Sequence, residues 1–193
     1  VVHNGEMIVV ASPLTGKVRT FNRGGGGVWT QSGQITNSIP SGKSVDLKNV
    51  ICVVSGSVVR VYVKGDDWTQ KGDDIDTPHT DSLICKVIDE NTIVFGDASY
   101  GVGLKASGRV CLFEFSEGST WVQLAADIQG PTENAQFGRD VAIISTPTTV
   151  AVAGSDAVYI YQYKDLNWMQ VGQPLKMRDI RAISVDDGFL AVT

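Results

Sequence analysis

The side chains in this sequence with metal-binding or acid–base chemistry to offer are two histidines, three cysteines and a run of aspartates. His3 and His79 both stand among turn-forming residues. A zinc site needs several His, Cys or carboxylate ligands converging on one point. Two distant histidines do not supply that, and they read as surface loop residues. Cys52, Cys85 and Cys111 each lie inside an apolar run. An odd, sparse set is not a disulfide framework. The three read as reduced core residues, which leans towards a reducing intracellular or organellar compartment. Asp66, Asp67, Asp73, Asp74 and Asp76 form the densest carboxylate cluster. Glycoside hydrolysis needs two carboxylates at a set separation, but this cluster sits in a turn-rich stretch and reads as a solvated loop. No Gly-x-Ser-x-Gly nucleophile motif occurs.

Two stretches imitate phosphate loops. Ser41-Gly42-Lys43-Ser44 resembles the end of one, yet Thr36-Asn37-Ser38 stands where the earlier glycine is needed, and a strand follows instead of a helix. Gly24 to Gly27 is followed by Trp29 and a strand pattern, where a phosphate cradle requires a helix N-terminus. Both read as loops leading into strands. The net charge of −5 gives no general basic field, and no Lys/Arg run exceeds two residues, so nucleic acid is not an expected partner. No apolar run approaches the ~20 residues of a spanning helix, so membrane insertion is not expected. No cofactor is implied. The chain begins at Val1 without Met and inside a repeat, and reads as a segment of a longer protein.

The elements that would position these residues are repeats. The four tryptophans give Trp29-Thr30-Gln31, Trp68-Thr69-Gln70, Trp121-Val122-Gln123 and Trp168-Met169-Gln170. Gly33, Gly72 and Gly172 follow at a fixed distance, with Ala125 in the third copy, and Ile35, Ile75, Ile128 and Leu175 close the units. Upstream of each Trp lies an alternating strand carrying Val18, Val59, Val110 or Val158, with an aromatic three residues later. Before it come two short apolar strands joined by tight turns such as His3-Asn4-Gly5, Lys48-Asn49 and Asp89-Glu90-Asn91. The predicted fold is all-β: tandem four-stranded antiparallel blades, β-propeller-like, with units at about 1–40, 41–80, 81–130 and 131–180 and a partial unit at 181–193. The closed four-blade ring and the open array completed by another chain or domain are both left open. The Trp residues are expected to pack between blades and the Gln residues to hydrogen-bond neighbouring backbone, both structural roles.

The stretch from Gly108 to Gly154 carries a family resemblance. Gln136-Phe137-Gly138-Arg139-Asp140-Val141-Ala142, Thr149 to Gly154, Gly108-Arg109-Val110 and Trp121-Val122-Gln123-Leu124 together resemble the FG-GAP-like propeller repeats, which include the integrin α head. The resemblance implies a propeller of stacked blades. Members with calcium sites carry an Asp-rich loop between the first two strands; here those loops are a few residues long and lack alternating oxygen ligands.

The expected function is a non-catalytic scaffold mediating protein–protein interaction or self-assembly through blade loops and strand edges, with other copies of the chain among the candidate partners. Alternatives are a self-assembling shell or lattice subunit such as an algal pyrenoid shell, a cell-surface adhesion module, and a carbohydrate-active enzyme. Adhesion is disfavoured by the missing calcium loops and by the absence of an Asn-x-Ser/Thr sequon.

Overall fold

The computed structural model describes residues 1–12, 15–35, 42–77, 82–145, 148–186 and 189–193. The regular elements among them are strands, apart from one three-residue 3-10 turn at Gly25–Gly27. Sheet 1 holds β1 (Val2–His3), β2 (Met7–Ser12), β3 (Lys17–Arg23) and β4 (Trp29–Ile35). Sheet 2 holds β5 (Gly42–Leu47), β6 (Val50–Ser55), β7 (Val58–Lys64), β8 (Trp68–Gln70) and β9 (Ile75–Asp76). Sheet 3 holds β10 (Leu83–Val87), β11 (Thr92–Asp97), β12 (Arg109–Phe115), β13 (Trp121–Gln123) and β14 (Ile128–Gln129). Sheet 4 repeats the plan with β15 (Asp140–Ser145), β16 (Thr149–Ala153), β17 (Ala157–Lys164), β18 (Asn167–Gln170) and β19 (Leu175–Lys176). A last hairpin, β20 (Ile183–Asp186) and β21 (Phe189–Val192), repeats the first two strands of the plan.

All pairing within the sheets is antiparallel, and the first four strands of each of sheets 1 to 4 follow chain order, because their connections return the chain beside the strand it has just left. The turns are made by the residue types expected of them. Asn4 Oδ1 accepts the backbone N–H groups of Glu6 (3.2 Å) and Met7 (2.9 Å), and Asp89 Oδ1 accepts that of Asn91 at 2.8 Å.

Sheets 2 to 4 depart from the expected four strands. After the Gln the chain swings outward and returns as a two-residue strand on the same partner: β9 on β7, β14 on β12 and β19 on β17. In sheets 2 and 4 the swing passes through Gly72 and Gly172, both at positive φ. Sheet 1 keeps one continuous β4, with only a register shift opposite Thr20 and Phe21. A two-residue strand is too short to show alternation, so sequence pattern alone marks only its aliphatic residue.

Both faces of sheets 2 to 4 are apolar, and successive sheets bury them against each other. Val9, Val18 and Ile35 of sheet 1 meet Leu47, Ile51, Val53 and Tyr62 of sheet 2. Cys52, Val59 and Val61 meet Cys85, Ile93 and Phe95 of sheet 3. Val94, Val110 and Leu112 of sheet 3 meet Val141, Val150 and Val152 of sheet 4 and Phe137 of the segment before it. Ala151, Ala153 and Val158 meet Ile180, Ile183, Leu190 and Val192 at the last hairpin. Side chain-to-backbone bonds link the first strands of neighbouring units: Cys85 N donates to Ser44 Oγ (3.3 Å), Val87 N to Asp46 Oδ2 (2.8 Å) and Ile183 N to Asp140 Oδ2 (2.9 Å). Burial pushes the Asp46 carboxyl above its ordinary range, and the bond from Val87 opposes that.

Candidate functional site

The repeated Trp residues occupy one station in each unit, opposite Arg23, Lys64, Phe115 and Tyr163 on the neighbouring strand. Each of the last three packs on the sheet before its own. Trp68 joins the cluster between sheets 1 and 2, Trp121 that between sheets 2 and 3, and Trp168 that between sheets 3 and 4. Two indoles also bond across the junction: Trp68 Nε1 donates to Thr20 Oγ1 at 3.2 Å and Trp121 Nε1 to the Lys71 carbonyl at 2.8 Å. At Gly33 and Gly72 the small residue two positions after the Gln makes room for the next unit's Trp. A Cβ on Gly72 would come within 2.8 Å of Phe115 and 3.0 Å of the Trp121 indole nitrogen, and Gly72 sits at φ +74. No described sheet packs on Trp29, which is 37% exposed.

Three of the four Gln residues bond neighbouring backbone. Gln70, Gln123 and Gln170 donate through Nε2 to the carbonyls of Gly72, Ala125 and Gly172, at 3.0, 2.7 and 3.1 Å. These are the carbonyls freed where the chain swings away from the ladder. Gln31 makes no such bond among the described residues, because β4 runs on through Gly33 in register with Thr20.

Gln70 and Gln123 also donate to an aspartate, Asp74 (2.8 Å) and Asp127 (2.7 Å) respectively. In sheet 2 that carboxylate takes a bidentate grip from Arg60, at 2.8 Å from Nε and 2.6 Å from a terminal nitrogen. The Arg60 guanidinium holds the Asp74 carboxyl below the usual carboxylate range. In sheet 3, Cys111 stands where Arg60 does and donates to Asp127 Oδ1 at 3.0 Å, while Arg109 reaches Asp127 Oδ2 at 2.9 Å. Burial, and then this carboxylate, push the Cys111 thiol far above its ordinary range. Arg109 also lies 3.6 Å from Asp97, which is fully buried, and stacks 4.0 Å from the Tyr100 ring centroid. The Asp74–Asp127 correspondence was visible in the sequence as a recurring Asp before the closing Ile. The buried Asp97–Arg109 pair left no such signal, because its two residues are joined only by register.

The Phe137-Gly138 sequence just before β15 makes the junction to sheet 4. Phe137 is fully buried and meets Tyr159 and Tyr161 edge-on, with centroids 5.4 and 5.9 Å away. Gly138, at φ +84, lies so close to β11 that a Cβ on Gly96 would run into its carbonyl. Phe137 N donates to Ser107 O at 2.9 Å, tying the segment to the connection between β11 and β12.

The remaining chemistry-bearing residues are dispersed. His3 is exposed on β1, and His79 lies outside the described residues. Cys52, Cys85 and Cys111 are buried and unbridged. Ser41 is outside the described residues, and Gly42 opens strand β5. Among the described residues no three His, Cys, Asp or Glu side chains converge on a metal-sized site. No helix there is long and apolar enough to cross a membrane.

This architecture defines an all-β chain of several four- or five-stranded antiparallel sheets, consistent with propeller-like blades. No family model and no curated protein sequence matches it. Solved structures of the same fold do. One is a functionally unknown protein from Desulfotomaculum acetoxidans, 15% identical with a TM-score of 0.71 over 97% of this chain. Another is a structural-genomics target protein from Lactobacillus plantarum, 12% identical with a TM-score of 0.62 over 86% of this chain. The match spans 59% of the first and 51% of the second.

Proposed function

We propose that the chain is part of a β-propeller-like scaffold of the FG-GAP-like type, non-catalytic, that presents sheet faces and loops to other proteins. The observation that carries this reading is the free face of sheet 1. Ile8, Phe21 and Trp29 hold the register positions at which sheet 3 packs Ile93, Phe113 and Trp121 back onto sheet 2. With Val10 they form a patch that belongs to none of the four buried clusters. An apolar face patterned like a buried junction is suited to receive another sheet of the same kind. That sheet is either a further unit, in keeping with the greater length of the matched structures, or part of a second copy of the chain. The non-catalytic part of the reading is supported by the carboxylates. Asp46, Asp74, Asp97, Asp127 and Asp140 are each held by a bond within the sheets or between them.

Sedimentation velocity across concentration tests the self-assembly arm. The chain is expected to associate at raised concentration, and Phe21→Asp with Ile8→Asp to remain monomeric while keeping its β circular-dichroism signal. A chain that stays monomeric at every concentration removes self-assembly and leaves the further-unit arm.

A further inference from the structure

A cleft of about 430 Å³ opens where the first strands of sheets 3 and 4 and of the last hairpin begin. Its floor is apolar, from Leu83, Ala98 and Ala106. Its polar lining includes two guanidinium groups, Arg139 and Arg181, with Gln136 and Ser82. The two arginines come from one repeat position. Each precedes by two residues a strand residue paired to the end of the next strand, Val141 with Val152 and Ile183 with Val192. Among the described residues neither guanidinium has a hydrogen-bond or ion-pair partner. That sets them apart from Arg60 and Arg109, which are both committed to carboxylates.

Among the described residues neither guanidinium pairs with a nearby acid. Asp140 accepts the backbone N–H groups of Val141 and Ile183, and Asp97 is bonded by Ser99 and faces Arg109. The Ser99 hydroxyl is thereby spent, which leaves the Gln136 amide and Ser82 as further donors. Two like charges lining one cleft repel, and a bound anion relieves that cost. The backbone supplies an independent observation. Ala106 (φ +47) and Gln136 (φ +48) both line the cleft in the left-handed conformation that side chains rarely adopt. Strain of this kind gathers at ligand sites, where the surrounding structure holds it in place. It is fixed here by Gln136 N donating to Ala106 O at 3.1 Å.

We infer that this cleft binds a small oxyanion, a dicarboxylate or a phosphate, with Arg139 and Arg181 as its cationic ligands. The inference goes beyond the scaffold reading and does not rest on it.

Calorimetric titration of the chain with succinate and, separately, inorganic phosphate, at constant low ionic strength, tests it. Saturable binding of at least one is expected, and the stronger of the two gives the ligand class. Arg181→Gln, on an exposed side chain that folding does not need, should weaken it by about tenfold or more. Arg139→Gln should do the same. Arg178→Gln, exposed but outside the cleft, should leave affinity within about twofold. Melting curves without ligand separate lost binding from lost folding, and if Arg139→Gln does not fold, Arg181→Gln decides. No saturable binding of either anion, or equal weakening by Arg178→Gln and Arg181→Gln, overturns the inference.

Discussion

The junction between sheets 2 and 3 and the junction between sheets 3 and 4 are built on one plan and finished differently. In the first, Gly72 opens the space, the Trp121 indole donates to the Lys71 carbonyl, and Lys71 itself reaches the Glu90 carbonyl and Asn91 Oδ1 at 2.6 Å. In the second, Ala125 stands where Gly72 did, and the matching carbonyl, that of Leu124, accepts the Tyr163 hydroxyl at 3.2 Å. Trp168 packs in the same cluster, with its buried indole nitrogen lacking a hydrogen-bond partner among the described residues. Apolar packing is thus common to both junctions, while the polar contact is filled by whichever donor reaches the carbonyl. An unfilled buried donor is costly, so the second junction is expected to be the less finished of the two.

Trp121→Ala should have the largest effect. It removes a half-buried indole and its hydrogen bond, and a loss of about 2–4 kcal/mol is expected in chemical denaturation. The same change at Trp29, on which no described sheet packs, should stay within about 0.5 kcal/mol. Equal losses at the two sites would break the comparison, because they would make the Trp important within its own sheet. Gly72→Ala comes next, at about 1–3 kcal/mol, since it combines positive φ with contact to Trp121 and the Ser119 carbonyl. Gly172→Ala shares the positive φ but has nothing within 4 Å, so its smaller cost isolates the strain from the crowding. Tyr163→Phe should cost less than Gly72→Ala, under about 1 kcal/mol. It vacates the Leu124 carbonyl, and slower exchange of the Trp168 indole proton, read by NMR, would show that indole taking the vacated place. A larger cost with unchanged exchange would mean that the two junctions cannot interchange donors.

Much of this was legible because repetition amplifies weak signals. The run Thr149 to Gly154 holds the strand Thr149–Ala153, and the strands carrying Val18, Val59, Val110 and Val158 each begin one residue before that Val. The same Val phase turned out to mark the face that meets the following sheet. Three features were not legible. The returning strands β9, β14 and β19 have two residues each, too few for a period. Arg109 and Asp97 are brought together by strand register, which no local spacing encodes. The cleft is formed by residues near 82, 98, 106, 136 and 181, and only folding places them on one rim. The Phe-Gly motif lay between, legible only as a resemblance; its physical reason is a buried ring and a backbone approach that leaves no room for a side chain.

The burial of each face on the next sheet in line also sets how the molecule should breathe. Stability in such an array is a sum of unit terms and nearest-neighbour terms, so opening need not be all-or-none. Sheet 3 is flanked on both sides, whereas among the described residues the last hairpin of two strands packs only on sheet 4 and leaves Phe189 80% exposed. Amide protons of β20 and β21 should therefore exchange by local fraying, and those of β11 and β12 only when the whole middle of the stack comes apart.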